Sequence, residues 1–269
     1  MIRRSDMLFR RRPIVRIGQS NIAGGYRPAT DWPARLQSEQ DAVRVYNLFC
    51  HHQEASPTGA YARNDTWHRV APWQMGTSSD PTPVSGPLTG NWGLDLADAL
   101  LGAGENPAFV DYCIGGVGLA YYTPGVTGTN YPTVIAWIQA RISELVSPLD
   151  PILIIYQGES GVGNGAAWDD YMALIAAQMR ADLASTNMGI VVVQIPATYM
   201  TGAIPTAQAA YVASDARSRL AYAHDSTFVT DPGPADLHID TESGRRLAIG
   251  PDNGAVVRSV LTCLKELLA

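Results

Sequence analysis

The feature that most constrains this chain is a set of short runs that are apolar almost from end to end. They are PIVRI at 13–17, VRVYNLF at 43–49, AFVDYCI at 108–114, PILIIY at 151–156, IVVVQI at 190–195 and a shorter FVT at 228–230. A strand with one wet face alternates polar with apolar residues, whereas these runs have the composition of strands covered on both faces. Between them lie stretches with helical spacing, at Gly93–Leu101, Thr133–Val146, Ala166–Leu183, Thr206–Leu220 and Gly254–Leu268. In the second, Val134, Trp137, Ile138, Ile142 and Leu145 recur at three and four residues and fall on one face. Buried strands separated by amphipathic helices imply an α/β class. The expected architecture is a three-layer α/β/α sandwich with a central parallel sheet of about five strands.

At 269 residues the chain can bury a full core, and a single domain over 13–269 is the economical reading. The first twelve residues, MIRRSDMLFRRR, read as a basic arm, and Pro13 and Arg16 break the apolar run behind them far short of a signal-peptide core. No run approaches the ~18 apolar residues of a membrane span. A net charge of −6 offers no footprint for nucleic acid or an anionic membrane, so neither is an expected partner. Localisation and oligomeric state stay open. Cys50, Cys113 and Cys263 make an odd count without CxxC spacing, and Cys50 and Cys113 sit in apolar surroundings as buried thiols. One stretch departs from the alternation. Residues 51–91 are rich in Pro, Gly, Ser and Thr, and a loop of that length is usually functional or disordered. It is a candidate substrate-binding insertion.

In open parallel sheets chemistry collects at the carboxyl ends of the strands. After the first run comes Gly18-Gln19-Ser20-Asn21, after the third CIGGVG (113–118), after the fourth YQGESG (156–161), and late in the chain DPGPADLHID (231–240). These supply a serine, a glycine turn, an amide beside a carboxylate, and an Asp–His pair. Acyl transfer to serine needs such a set: a nucleophile, a base, a group that orients the base, and donors for the oxyanion.

The same residues carry a family resemblance. GQSNIAG (18–24) resembles the first block of the SGNH hydrolases, in their sialate O-acetylesterase and acetylxylan-esterase branch, called carbohydrate-esterase family six. IGGVGL (114–119), YQGES (156–160) and DLHIDTESGRRLA (236–248) resemble the later blocks, in the right order. The resemblance implies a flavodoxin-like SGNH fold and a serine esterase that removes O-acetyl groups from a carbohydrate without a cofactor or metal. It makes Ser20 the nucleophile and His238 the base. The oxyanion donors it implies are the Ser20 and Gly116 backbone N–H groups and the Gln157 side-chain amide. Asp236 is the carried-over acid; many SGNH members place that acid three residues before the histidine, where this chain has Ala235. Asp231, Asp240 or a backbone carbonyl are the alternatives for orienting His238.

Several residues admit a plainer reading. Glu159 is either a carboxylate holding Gln157 or the Ser20 loop, or an ordinary turn residue. Asn21 either ties the Ser20 loop to the other blocks or forms an Asx turn. Trp67, Trp73, Trp92, Tyr121 and Tyr122 form either a sugar-stacking wall or part of the core. His51 and His52, as neighbours on an extended strand, point to opposite faces and do not suggest a metal. The glycine runs GVGNG (161–165) and GAGENP (102–107) fit neither dinucleotide nor P-loop patterns. Two other functions remain alternatives: an SGNH esterase for non-sugar esters, and a non-catalytic carbohydrate-binding or structural module.

Overall fold

The computed structural model describes residues 11–19, 22, 34, 49–53, 67–68, 92–145, 148–159, 166–195, 203–223, 239, 241–250 and 257–269. The elements in chain order begin with β1 (Arg12–Gly18), β2 (Phe49–Gln53), β3 (Trp67–His68), α1 (Trp92–Gly102) and β4 (Pro107–Cys113). A 3₁₀ turn (Leu119–Tyr122) leads into α2 (Tyr131–Ser143), β5 (Ile152–Tyr156), α3 (Ala166–Asp182) and β6 (Gly189–Val193). The chain ends with α4 (Ala203–Ser214), β7 (Ser218–Ala223), α5 (Thr241–Ile249), β8 (Val257–Arg258) and α6 (Val260–Leu268).

The strands form one sheet in the order β3-β2-β4-β1-β5-β6-β7-β8. The ladders β2–β4, β4–β1, β1–β5, β5–β6 and β6–β7 are all parallel, and the two-residue strands β3 and β8 close the edges antiparallel. β4, β5 and β6 are buried along their whole length and β1 from its second residue, as both-face coverage requires. Helices α1, α5 and α6 pack together, and α3 packs on α4 and on the 3₁₀ turn that α2 also touches. The three-layer α/β/α reading holds, with one more parallel strand than the expected five.

Two elements lie elsewhere than the sequence pattern placed them. β2 begins at Phe49, where the run VRVYNLF ends, and 43–48 lie outside the described residues. The pattern Thr206–Leu220 reads as one helix, but α4 stops at Ser214 and residues 218–223 form β7. Asp215 makes the break. Its carboxylate accepts from Ser218 Oγ at 2.7 Å, Tyr211 Oη at 3.0 Å, Arg180 at 2.8 Å and the Arg217 N–H at 3.0 Å. A side chain that gathers its own downstream N–H competes with helix continuation. The run FVT at 228–230 lies outside the described residues.

Helix ends follow local chemistry. Pro132 opens α2, where a missing N–H costs nothing. Ser259 caps α6 by accepting the Thr262 N–H at 3.2 Å. α3 ends with Ala184 at φ 49°, while the Ser185 N–H reaches back to the Arg180 carbonyl at 2.9 Å. That is the left-handed helix stop usually given to glycine.

Among the described residues, a charged pair lies within the core. Arg16 of β1 and Asp111 of β4 are register partners, and both side chains are fully buried. The guanidinium reaches the carboxylate through two bonds, Nε to Oδ1 at 2.7 Å and a second N–H to Oδ2 at 2.5 Å. The Trp92 ring centre lies 5.1 Å and the Phe109 ring centre 5.2 Å from the guanidinium carbon. Such planar coverage by rings suits arginine and not lysine.

Candidate active site

Three neighbouring strands, β4, β1 and β5, end side by side, and the candidate residues follow them directly. β1 ends at Gly18, whose φ is +156°. A Cβ there would stand 2.2 Å from the Tyr156 carbonyl oxygen and 2.8 Å from Ile22 Cγ1, so only glycine lets β1 run this close to β5. The Gly18 carbonyl accepts the Ile114 N–H at 3.0 Å and the Tyr122 hydroxyl at 2.6 Å. The strand end is thereby held from β4 and from the 3₁₀ turn together.

Past the strand the Ile22 N–H donates to the Gln19 carbonyl at 3.0 Å. Gln19 is itself buried, and its side-chain amide donates to Glu159 Oε2 at 2.7 Å. Glu159 thus reaches from the segment after β5 to the residue before Ser20. A hydrogen bond to a charged acceptor in a buried setting is among the stronger ones.

After β4, Gly116 has φ +77°, a conformation that L side chains rarely adopt, and it is exposed with open space where a Cβ would point. Among the described residues its N–H has no acceptor. Gln157, directly after β5, is fully buried. Its Nε2 donates to the Val117 carbonyl at 2.5 Å, which commits one of two amide hydrogens and ties Gln157 to the glycine turn. Among the described residues its Oε1 meets no donor. Buried polar atoms are rarely left unsatisfied. The Gln157 main-chain carbonyl accepts from Trp168 Nε1 of α3 and Gln208 Nε2 of α4, both at 3.2 Å.

The aromatic residues separate into different roles. Trp92 is buried against Arg16, and Tyr122 is buried with its hydroxyl spent on Gly18, so neither offers a face to a sugar. Burial pushes the Tyr122 hydroxyl well above its usual range, with Cys113 and Tyr121 nearby adding to the shift. Trp67 is half-buried at the β3 edge, opposite Cys50 in mid-strand, with its indole N–H on Glu144 at 2.6 Å. That is away from the carboxyl ends of the strands. Tyr121 is half-buried, packed edge-on to Tyr122 at 5.3 Å, and its hydroxyl accepts from Asn130. Ser20, Asn21, Trp73, Asp236 and His238 lie outside the described residues, as does most of 51–91. Among the described residues no group of three His, Cys, Asp or Glu is placed to hold a metal ion, and no helix is long and apolar enough to cross a membrane.

Sequence reasoning missed Gln208, Trp168 and Gln19. Each is an ordinary residue in its own segment and acquires meaning only from the strand end it touches. The described part of the site therefore offers the N–H of an exposed glycine, a buried side-chain amide and a braced strand end, at the neighbouring ends of β4, β5 and β1. That is a donor set suited to developing negative charge on an oxygen.

Comparison with known proteins places the chain in a family. The family model described as carbohydrate esterase, sialic acid-specific acetylesterase matches residues 13–250. No curated protein sequence matches the chain significantly. Among solved structures, a protein of Arabidopsis thaliana is similar over 96% of this chain and 98% of its own, at 16% identity and a TM-score of 0.59. NanS is similar over 97% of each chain, at 13% identity and a TM-score of 0.51. A carbohydrate acetylesterase from Xanthomonas citri is similar over 88% of this chain, at 15% identity and a TM-score of 0.52, and the match spans 55% of that protein. At these identities the likeness is one of fold.

Proposed function

Because the chain belongs to the carbohydrate-esterase family of sialic acid-specific acetylesterases, we propose that it cleaves an O-acetyl ester on a carbohydrate through an acetyl-serine intermediate at Ser20. His238 takes the Ser20 proton as the hydroxyl attacks the acetyl carbonyl, and Asp236 orients the imidazole. The tetrahedral oxyanion is held by the N–H groups of Ser20 and Gly116 and by the second hydrogen of Gln157 Nε2. His238 then protonates the departing sugar hydroxyl, and water repeats the sequence on the acetyl-enzyme. No step calls for a cofactor.

The observation that carries this reading is the pairing of Gly116 with Gln157. The N–H of the exposed residue Gly116, without an acceptor among the described residues, lies next to Val117, whose carbonyl takes one hydrogen of the Gln157 amide. In this reading the other hydrogen is the one that meets the oxyanion. Gln19, braced by Glu159, precedes the proposed nucleophile, which follows the strand between those two donors.

The test is acetate release from 4-nitrophenyl acetate and from a panel of acetylated glycans, by wild type and by Ser20→Ala. Release by wild type that Ser20→Ala abolishes supports the proposal. A wild type inactive on every ester would instead favour a binding module, and activity confined to aryl acetates would remove the carbohydrate from the reading. Full activity of Asp236→Ala beside an inactive His238→Ala would reduce the triad to a dyad.

A further inference from the structure

The ladder between β5 and β6 ends early. Its last register pair is Ile155 with Val192, and beyond it the two strands part. Into that gap comes the side chain of Gln208 from α4, fully buried. Its Nε2 donates to the Gln157 carbonyl at 3.2 Å and to the Val193 carbonyl at 3.3 Å, and its Oε1 accepts the Ile195 N–H at 2.9 Å. One amide therefore satisfies three main-chain groups on two diverging strands. Buried main-chain groups of this kind need partners, and Gln208 supplies one to each.

The consequence falls on Gln157. Its peptide carbonyl is gripped from α4 by Gln208 and from α3 by Trp168. Fixing that peptide plane fixes the direction in which the Gln157 side chain leaves the backbone. The same side chain spends one amide hydrogen on Val117. An oxyanion donor works only when it is aimed before charge develops, and small misplacements are costly.

We propose that Gln208 is a positioning residue for the oxyanion donor Gln157, acting through the Gln157 backbone from the gap between β5 and β6. This rests on the esterase reading above for its kinetic consequence but not for its geometry. Gln208 touches no substrate atom; its effect is on the aim of Gln157.

The experiment is a double-mutant cycle on the full chain, with Gln208→Met (similar length, no hydrogen bonds), Gln157→Ala and the pair, assayed on 4-nitrophenyl acetate. Gln208→Met should lower kcat by about tenfold with KM within about twofold of wild type, as expected when an aimed donor is loosened. In the Gln157→Ala background the same substitution should cost nothing further. An unchanged kcat, an effect confined to KM, or an equal loss in both backgrounds would overturn the proposal. The last result would show that Gln208 supports the fold generally. If Gln208→Met does not fold, Gln208→Glu keeps the acceptor for Ile195 and loses the paired donors, and the same cycle is run with it.

A readout free of activity separates this inference from the esterase reading. The side-chain amide resonances of Gln157, identified by their loss in Gln157→Ala, should shift in the Gln208 variant. If they stay in place the inference fails, whether or not the protein hydrolyses an ester. If they move while wild type releases no acetate, the positioning role stands and the functional reading falls.

Discussion

Replacing Asp111 by Asn would test how much of this fold depends on one buried charge pair. The change keeps the side-chain shape but removes the carboxylate that neutralises Arg16, whose guanidinium is fully buried between the rings of Trp92 and Phe109. Breaking a buried pair by removing one partner typically costs about 3–5 kcal/mol, because the remaining charge stays out of water. For a domain near this size each kcal/mol lowers Tm by about 2–4 °C, so the loss should be roughly 6–20 °C. Against a total stability of about 5–15 kcal/mol, most molecules should remain folded at room temperature. Replacing both partners, Arg16→Met with Asp111→Leu, removes charge and desolvation cost together and should recover most of the loss. The assay is urea unfolding of Asp111→Asn beside wild type, Arg16→Met, Asp111→Leu and the double variant, the last four closed as a thermodynamic cycle. Asp111→Asn within 1 kcal/mol of wild type, or a double variant no better than the sum of the singles, would refute the reasoning.

Other outcomes follow from the same geometry. Gln157→Ala should reduce kcat about 10²–10³-fold with a much smaller change in KM, measured by steady-state kinetics on an acetyl ester. Gly18→Ala should give little soluble protein, since its Cβ would meet the Tyr156 carbonyl at 2.2 Å; near-wild-type yield and Tm would count against the strand packing described. Ala184→Gly should raise stability by about 0.5–1 kcal/mol in urea unfolding, because a left-handed residue loses its Cβ penalty. Asp215 is pushed up by burial, but bonds from Ser218, Arg180, the Arg217 N–H and Tyr211 outweigh that and hold its carboxyl below its ordinary value of 3.8. Its stabilising contribution is then complete above that ordinary value and is lost as pH falls through the lower folded-state value. Asp215→Asn should therefore be clearly destabilised at pH 7, and the gap to wild type should narrow in melts at acid pH.

Much of the frame was legible because burial on both faces leaves a strong mark in sequence. β1, β4, β5 and β6 lie where apolar runs stand, within a residue or two. β7 was not legible. SRLAYA has no β-branched residue and follows a helical pattern without a glycine or proline to mark the break. Only the bonds that Asp215 gathers reveal why the helix stops. The glycines of the site could be singled out from the sequence, but the reason for Gly18, a carbonyl of a strand about 140 residues away in sequence, could not. Aromatic residues were the hardest to place. Trp92 and Tyr122 are spelled like any surface aromatic, and only the fold shows one against Arg16 and the other on the Gly18 carbonyl. Gln208 gave no local signal at all, because an amide in a helix becomes significant only where two strands part.

The central claim is that the hydroxyl at position 20 carries the acetyl group during turnover. It is tested most directly by acid-quenching the protein within its first turnovers on an acetylated substrate and mapping acetyl groups by peptide mass spectrometry. The expected result is an acetyl group on Ser20, absent in Ser20→Ala and accumulating when deacylation is slowed. Sustained acetate release with Ser20 unmodified, or undiminished release by Ser20→Ala, would contradict it.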